Sequence, residues 1–266
     1  MHMDGILNLD KPAGISSARA VDQVKRLLPR KTKIGHAGTL DPFATGVLVL
    51  LIGKGTKLCE RLMDQPKQYE ATIKFGATTA TDDPESAEEA WTPKARSRNR
   101  DTGVPPVPGA HEPARAVVSR VEGIAHGQDA RVTVTPISRE QVDRVVPGFI
   151  GAIEQRPPAF SAMKVGGQRA YKLARGGAEV KLEPRTVQVY SIEILDFAWP
   201  LLRVRIDCGR GTYIRSIARD LGEALDVGGH LTQLRRTRVG EFAIERAVTI
   251  QQLQADGVER HLHPLT

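Results

Sequence analysis

An α+β fold is what this sequence predicts, and three observations carry the prediction. Val47-Leu48-Val49-Leu50-Leu51-Ile52 is a short, β-branched apolar run that directly follows a Gly- and Pro-punctuated segment, as a buried strand would. Arg185 to Phe197 and Leu201 to Cys208 form two long adjacent strand-like segments; in the second, Leu202, Val204, Ile206 and Cys208 face one way and Arg203, Arg205 and Asp207 the other. Ile214, Ile217, Ala218, Leu221 and Leu225 then form a helical stripe.

The remaining elements follow in chain order. Ile6 to Leu9 reads as a first strand. Ser16 or Ser17 caps a helix whose stripe includes Ala20, Val21, Val24, Leu27 and Leu28, and Pro29 stops it. A short helix, Lys57 to Met63, follows the buried strand, and Tyr69 to Phe75 alternates as the next strand. From about Pro93 to Ala130 the pattern fails: Pro-Pro, several glycines and Arg-Ser-Arg-Asn-Arg read as a flexible insertion. Ser138-Arg139-Glu140-Gln141 is a capping-box signature opening a helix to about Phe149. Pro158 to Val165 reads as a strand, and Gln168 to Arg175 as a short helix ended by Gly176-Gly177. Thr212 reads as the N-cap of the helix that carries the Ile214 stripe.

The composition narrows the function classes. The longest apolar run is far too short to span a bilayer, and Met1 to Gly5 has no signal-peptide character. Cys59 and Cys208 lie far apart, with no Cys or His at metal-ligand spacing, as expected of two reduced thiols in a cytoplasmic protein. Lys and Arg number 38 against 31 Asp and Glu, a net charge of +7. The excess is clustered: Lys11 to Lys33 holds seven basic residues and one acid, and Arg203 to Arg238 holds eight arginines and four acids. A polyanion such as nucleic acid is one reading of that clustering, and a solvated basic face is the other.

Gly35 to Gly46 sets one carboxylate, Asp41, in a rigid-looking loop at the edge of a core strand, where reactive groups commonly sit; a structural Asp-Pro turn is the plain alternative. Arg215 falls near the third position of its helix, where the dipole disfavours a cation by a few tenths to about 1 kcal/mol, so an anion nearby, Asp41 or a phosphate, would explain it. Tyr213 lies off the apolar stripe and can face the same place. Leu234-Arg235-Arg236-Thr237-Arg238 reads either as a solvated edge strand or as a phosphate track. Lys164 to Lys172 interleaves basic and aromatic residues in a Gly-hinged element suited to RNA contacts, or to an exposed turn. Gly53 to Lys57 lacks phosphate-loop spacing, His261-Leu262-His263 reads as an exposed tail, and no second carboxylate stands near Asp41 in sequence.

At these residues the chain resembles the TruB family of tRNA pseudouridine-55 synthases. Asp10 to Ser17 matches the family's N-terminal motif, and Gly35 to Leu48 its Gly-His-x-Gly-x-Leu-Asp-Pro-x-Ala-x-Gly-x-Leu motif. Tyr69 stands where its active-site tyrosine stands. Pro157 to Lys164, through Tyr171, matches its RNA-gripping thumb, and Gly211 to Arg215 and Leu234-Arg235-Arg236 match its late motifs. The likeness covers roughly residues 4–92 and 131–250. It implies a pseudouridine-synthase fold with a mixed, mainly antiparallel central sheet flanked by helices and loops. It also implies isomerisation of a T-loop uridine of tRNA to pseudouridine by base flipping, without cofactor or metal. On that resemblance Asp41 is the catalytic aspartate and Arg215 pairs with it and keeps it ionised. Tyr69 stacks on the target base, Tyr213 and Leu234 line the pocket, and His36 fills the space the uridine vacates. Lys164, Arg169, Tyr171, Arg235 and Arg236 are expected to touch RNA.

The expected organisation is one catalytic domain over 1–250, interrupted at 93–130, with 251–266 a short C-terminal tail and no PUA-type RNA-binding domain. The expected setting is a cytoplasmic monomer that needs tRNA but no membrane and no obligatory protein partner. A guide-RNA-dependent synthase and a non-catalytic tRNA-binding factor are the competing readings. The missing PUA domain argues against the first, and the intact Asp41, Tyr69 and Arg215 argue against the second.

Overall fold

The computed structural model describes residues 3–93, 134–161, 163–165, 168–169 and 182–265 of the chain. In chain order its strands are β1 (Gly5–Lys11), β2 (Ile34–His36), β3 (Thr45–Ile52), β4 (Lys67–Phe75), β5 (Ala77–Thr79), β6 (Glu88–Ala90), β7 (Gly151–Gln155), β8 (Lys164–Val165), β9 (Gln168–Arg169), β10 (Arg185–Ala198), β11 (Leu201–Cys208), β12 (Gly229–Val239), β13 (Phe242–Ala243) and β14 (Leu262–His263). Its α-helices are α1 (Ser17–Lys25), α2 (Cys59–Met63), α3 (Arg139–Val145), α4 (Ile214–Ala224) and α5 (Ile250–Asp256).

Ten strands form one sheet in the order β14-β1-β3-β12-β4-β11-β10-β7, with β13 on β12 and β2 on β3. Its pairings are antiparallel except for β12 on β3, which is parallel and aligns Arg235 with Thr45 and Arg236 with Gly46. The fold is thus α+β with a mixed, mainly antiparallel sheet.

Every residue of β3 from Gly46 onward is buried because both sheet faces are covered there. Leu48, Leu50 and Ile52 join Leu7, Leu9, Ile73, Val204 and Ile206 beneath α1 and α4, which contribute Ala20, Val24, Ile217, Ala218 and Leu221. Val47, Val49 and Leu51 face the other way and pack with Ile6, Leu62 and Phe242. Two-sided burial is why this strand reads as an unbroken apolar run instead of an alternating one. Each such Leu, Ile or Val contributes about 1.5–3 kcal/mol by leaving water.

The structure departs from the sequence expectations at five places. Pro158 to Val165 is not a strand; only Lys164–Val165 is, in a hairpin with Gln168–Arg169, so Gln168 starts no helix. The strand in this region is β7, whose only buried side chains are Ile153 and Gln155, too few to make a period-2 signal. Tyr213, not Thr212, is the N-cap of α4, and the Thr212 hydroxyl donates instead to the Gln188 carbonyl at 3.4 Å. Strand β12 is no edge: it lies between β3 and β4. Residues 251–265 are no loose tail, since α5 buries Leu253, Val258 packs in the core and β14 pairs with β1. His263 sits edge-on to Phe242. Nearly all of the 93–130 stretch, along with 170–177, lies outside the described residues.

Candidate active site

The Asp41 loop bridges β2 and β3, and main-chain and side-chain bonds hold it along its length. The Ser17 hydroxyl donates to the Leu40 carbonyl at 2.9 Å and accepts from the Leu40 amide at 2.8 Å, which ties the first turn of α1 to the residue before Asp41. Lys11, wholly buried, donates to the carbonyls of Pro12, Ile15 and Pro42 at 2.8, 2.8 and 3.2 Å. Burial lowers its pKa to about 8, with Asp41 opposing the fall. At the far end of the loop Gly46 has φ +101°, and a Cβ there would lie 2.2 Å from the Arg236 carbonyl oxygen, so no side chain fits.

Arg215 is 4% exposed and grips two carboxylates. Its Nη2 donates to Asp41 Oδ1 at 3.1 Å, and its Nε stands 3.0 Å from Asp41 Oδ2, an ion-pair contact off the hydrogen-bond line. Its Nη1 donates to Asp83 Oδ2 at 3.1 Å and to the Thr81 carbonyl at 3.0 Å, and Nη2 also donates to the Phe160 carbonyl at 3.0 Å. One helical turn on, Arg219 holds Asp82 at 2.9 Å, so two arginines on one face of α4 clamp the Asp82-Asp83 turn. The N-terminus of α4 is fixed by buried Gln155, whose amide accepts from the Tyr213 N–H at 2.8 Å and donates to the Tyr213 carbonyl at 3.0 Å.

Burial pushes the Asp41 carboxyl above the ordinary carboxylate range, and Asp83 adds to the rise, while Arg215 pulls the other way. The expected role of Arg215 in keeping Asp41 ionised is therefore one of two opposed influences. The Asp41 side chain keeps 31% of its surface exposed, whereas Asp83 keeps 2%. A carboxylate with a restrained backbone, a fixed guanidinium on one side and an open side can act on a bound molecule as base or nucleophile.

Around it, the structure places the other expected residues unevenly. Tyr69 on β4 and Leu234 on β12 are both 7% exposed and belong to the main core on the sheet face that also bears Arg236, the cross-strand partner of Tyr69. Burial raises the pKa of the Tyr69 phenol, and that of half-buried Tyr213. His36 ends β2, its ring lowered in pKa by burial and by the nearby Arg236 cation. Lys164 and Arg169 pair across the β8–β9 hairpin, and Tyr171 lies outside the described residues. Arg235 is 42% exposed and holds Asp10 at 2.9 Å and Thr45 at 3.2 Å. Arg236, expected to face RNA, is 1% exposed and donates to the carbonyls of Val47, Thr39 and Gly38 at 2.7, 3.4 and 3.1 Å. Its donors are committed to the Asp41 loop, so it has no surface to offer a phosphate. Asp83 and Gln155 escaped the sequence reading; the acid-rich turn Asp82-Asp83-Pro84-Glu85 was the available signal for the first.

A family model described as "TruB family pseudouridylate synthase (N terminal domain)" matches residues 25–106 and 117–214, and one described as "tRNA pseudouridylate synthase B C-terminal domain" matches 215–265. Their boundary falls inside α4, between two residues of one continuous helix. The chain is 39% identical over 252 residues to "tRNA pseudouridine synthase B" of Dechloromonas aromatica (strain RCB), covering 95% of this chain and 70% of that protein. It is 39% identical over 248 residues to the protein of the same name from Bacteroides fragilis (strain YCH46), covering 91% and 89%. Among solved structures, a Cbf5-Nop10-Gar1 complex matches with a TM-score of 0.62 and 26% identity over 97% of this chain, which spans 57% of that chain. An H/ACA RNP bound to a substrate RNA containing 2'-deoxyuridine matches with a TM-score of 0.59 and 25% identity, over 97% of this chain and 56% of that one.

Proposed function

The chain belongs to the TruB family of pseudouridylate synthases, enzymes of the isomerase class, and on that premise we propose that it converts uridine to pseudouridine at position 55 in the T-loop of tRNA. The observation that carries this reading is the Asp41–Arg215–Asp83 cluster, in which Asp83 is buried and Asp41 keeps 31% of its side chain exposed.

The target uridine leaves the loop stack and enters the cleft beside Asp41. The N1–C1' bond breaks, the base turns, and C5 bonds to C1'; the C5 proton then departs and N1 gains one. Substrate and product are isomers, so the chemistry calls for no oxidant, reductant or group donor. Asp41 enters ionised and acts on the nucleotide, and Arg215 fixes its carboxylate plane through paired contacts that a lysine could not reproduce. Tyr69 supports the base, Tyr213 and Leu234 bound the pocket, and His36 occupies the gap in the loop. Lys164, Arg169, Tyr171 and Arg235 hold the T-arm, and the C-terminal elements support the sheet. The protein acts as a monomer where tRNA matures, in the cytoplasm, without a cofactor.

Purified protein incubated with an unmodified tRNA transcript, and no guide RNA or other protein, is expected to yield pseudouridine at the T-loop position. Its absence from the mapped product ends the reading, and a requirement for added guide RNA would replace it with the guide-dependent one. Asp41→Asn should lose at least about 10³-fold in single-turnover rate while still binding tRNA. A fully active Asp41→Asn enzyme would remove the assigned role.

A further inference from the structure

Arg236 is the largest side chain in the described core that is almost fully enclosed, and nothing in the T-arm reading uses it. Its neighbours on β12 are paired with acids, Arg235 with Asp10 and Arg238 with Asp207. The Arg236 guanidinium is instead received by three main-chain carbonyls. Two, Gly38 and Thr39, precede Asp41 in its loop, and the third, Val47, follows it. One planar cation therefore spans both ends of the catalytic loop. The Arg236 backbone closes the same bracket from behind: it pairs in parallel with Gly46, which has no room for a Cβ. Across the sheet Arg236 lies opposite Tyr69.

A buried guanidinium without a carboxylate is expensive to desolvate, and a hydrophobic residue of similar volume would fill the same core space at lower cost. What an apolar residue could not supply is a forked donor that fixes three carbonyls at once. We propose that Arg236 is a positioning residue: it sets the backbone of the Asp41 loop, and with it the angle at which Asp41 meets the nucleotide, and it touches no RNA. This rests on the reading of Asp41 as the catalytic carboxylate.

The test uses Arg236→Gln and Arg236→Lys in the full chain, with an unmodified tRNA transcript. Single-turnover rate at saturating enzyme, tRNA Kd across a salt series and melting temperature are measured. A displaced loop predicts a saturating rate lower by about 10²-fold for glutamine, with partial recovery in lysine. The Kd should stay within about threefold of the parent, and the slope of log K against log salt should not change. The inference is overturned if the saturating rate is intact in the folded variants. It is also overturned if the salt slope becomes shallower by about 0.7–0.9, the signature of a lost phosphate contact. Arg236→Lys keeps the buried charge, so it decides the matter if the glutamine variant does not fold. Asp41→Asn run alongside separates the two failures: an active Asp41→Asn enzyme sinks the catalytic assignment, whereas an inactive one beside an intact Arg236→Gln rate sinks only the positioning role.

Discussion

The two faces of β12 put one residue type to opposite uses. Inward, Arg236 lies beside Leu234 with its guanidinium closed off from water. Outward, the partly exposed Arg235 and Arg238 reach Asp10 and Asp207, and the neighbouring strands continue the pattern with Arg205 between Glu70 and Glu193. The outward pairs sit in high dielectric and are screened by salt. The inward cations cannot relax into solvent, so each fixes whatever it touches: Arg236 the loop, Arg215 the two carboxylates. Sequence charge alone does not distinguish a side chain that meets RNA from one that holds the apparatus RNA meets.

Experiments that challenge this contrast can be ranked by expected effect. The largest belongs to Arg215→Met. It leaves Asp83 buried without its cation, a loss of about 3–5 kcal/mol in denaturant unfolding, and it should cut the single-turnover rate by at least about 10³-fold. A small stability change would mean the inward pairs are no different from the outward ones. Next comes Asp83→Asn, with a rate loss of about 10- to 100-fold and a shift in pH dependence. On the proposed mechanism activity requires ionised Asp41, so the saturating rate should fall as pH drops through a pKa held above the usual carboxylate range by burial and by Asp83. Removing the Asp83 charge should move that acid limb to lower pH, and a limb that stays put or moves up would show that Asp83 does not act on Asp41 electrostatically. The smallest effect is expected from Glu193→Gln on the outer face: an unchanged saturating rate and a melting temperature within about 2 °C of the parent.

Much of this was legible in the sequence, and the limits have physical causes. Elements with a local period came through: β1, β3, β4, β10, β11 and the capping box at Ser138, whose backbone N–H donates to the Gln141 side-chain oxygen at 2.8 Å as expected. The Arg215–Asp41 pair could be anticipated because a cation at a helix start is a local anomaly that asks for an anion. Asp83 has a weaker signal. The acid-rich turn Asp82-Asp83-Pro84-Glu85 also has the composition of a solvated loop, and it is the ion pair with Arg215 of α4, beside the β5–β6 hairpin, that accompanies the burial of Asp83. The RNA contact expected of Arg236 fails for a related reason. A run of arginines resembles an edge or a phosphate track, and nothing local announces that three carbonyls from a distant loop will receive one of them. Strand β7 was missed because its two inward side chains, one of them the amide that anchors Tyr213, leave no apolar rhythm.

The position of β12 has a consequence for how the chain assembles. Strands β3 and β4 are near neighbours in sequence, yet they do not pair; β12, made long after both, takes the place between them. Until it docks, β3 and β4 each keep an unpaired edge, and neither the Arg236 bracket on the Asp41 loop nor the Tyr69–Arg236 pairing exists. Seating this one strand therefore closes the core and completes the Arg236 bracket on the Asp41 loop in the same event. An arrested or truncated chain would expose adhesive edges before it acquired any catalytic power, and a folded chain could hardly lack its active site.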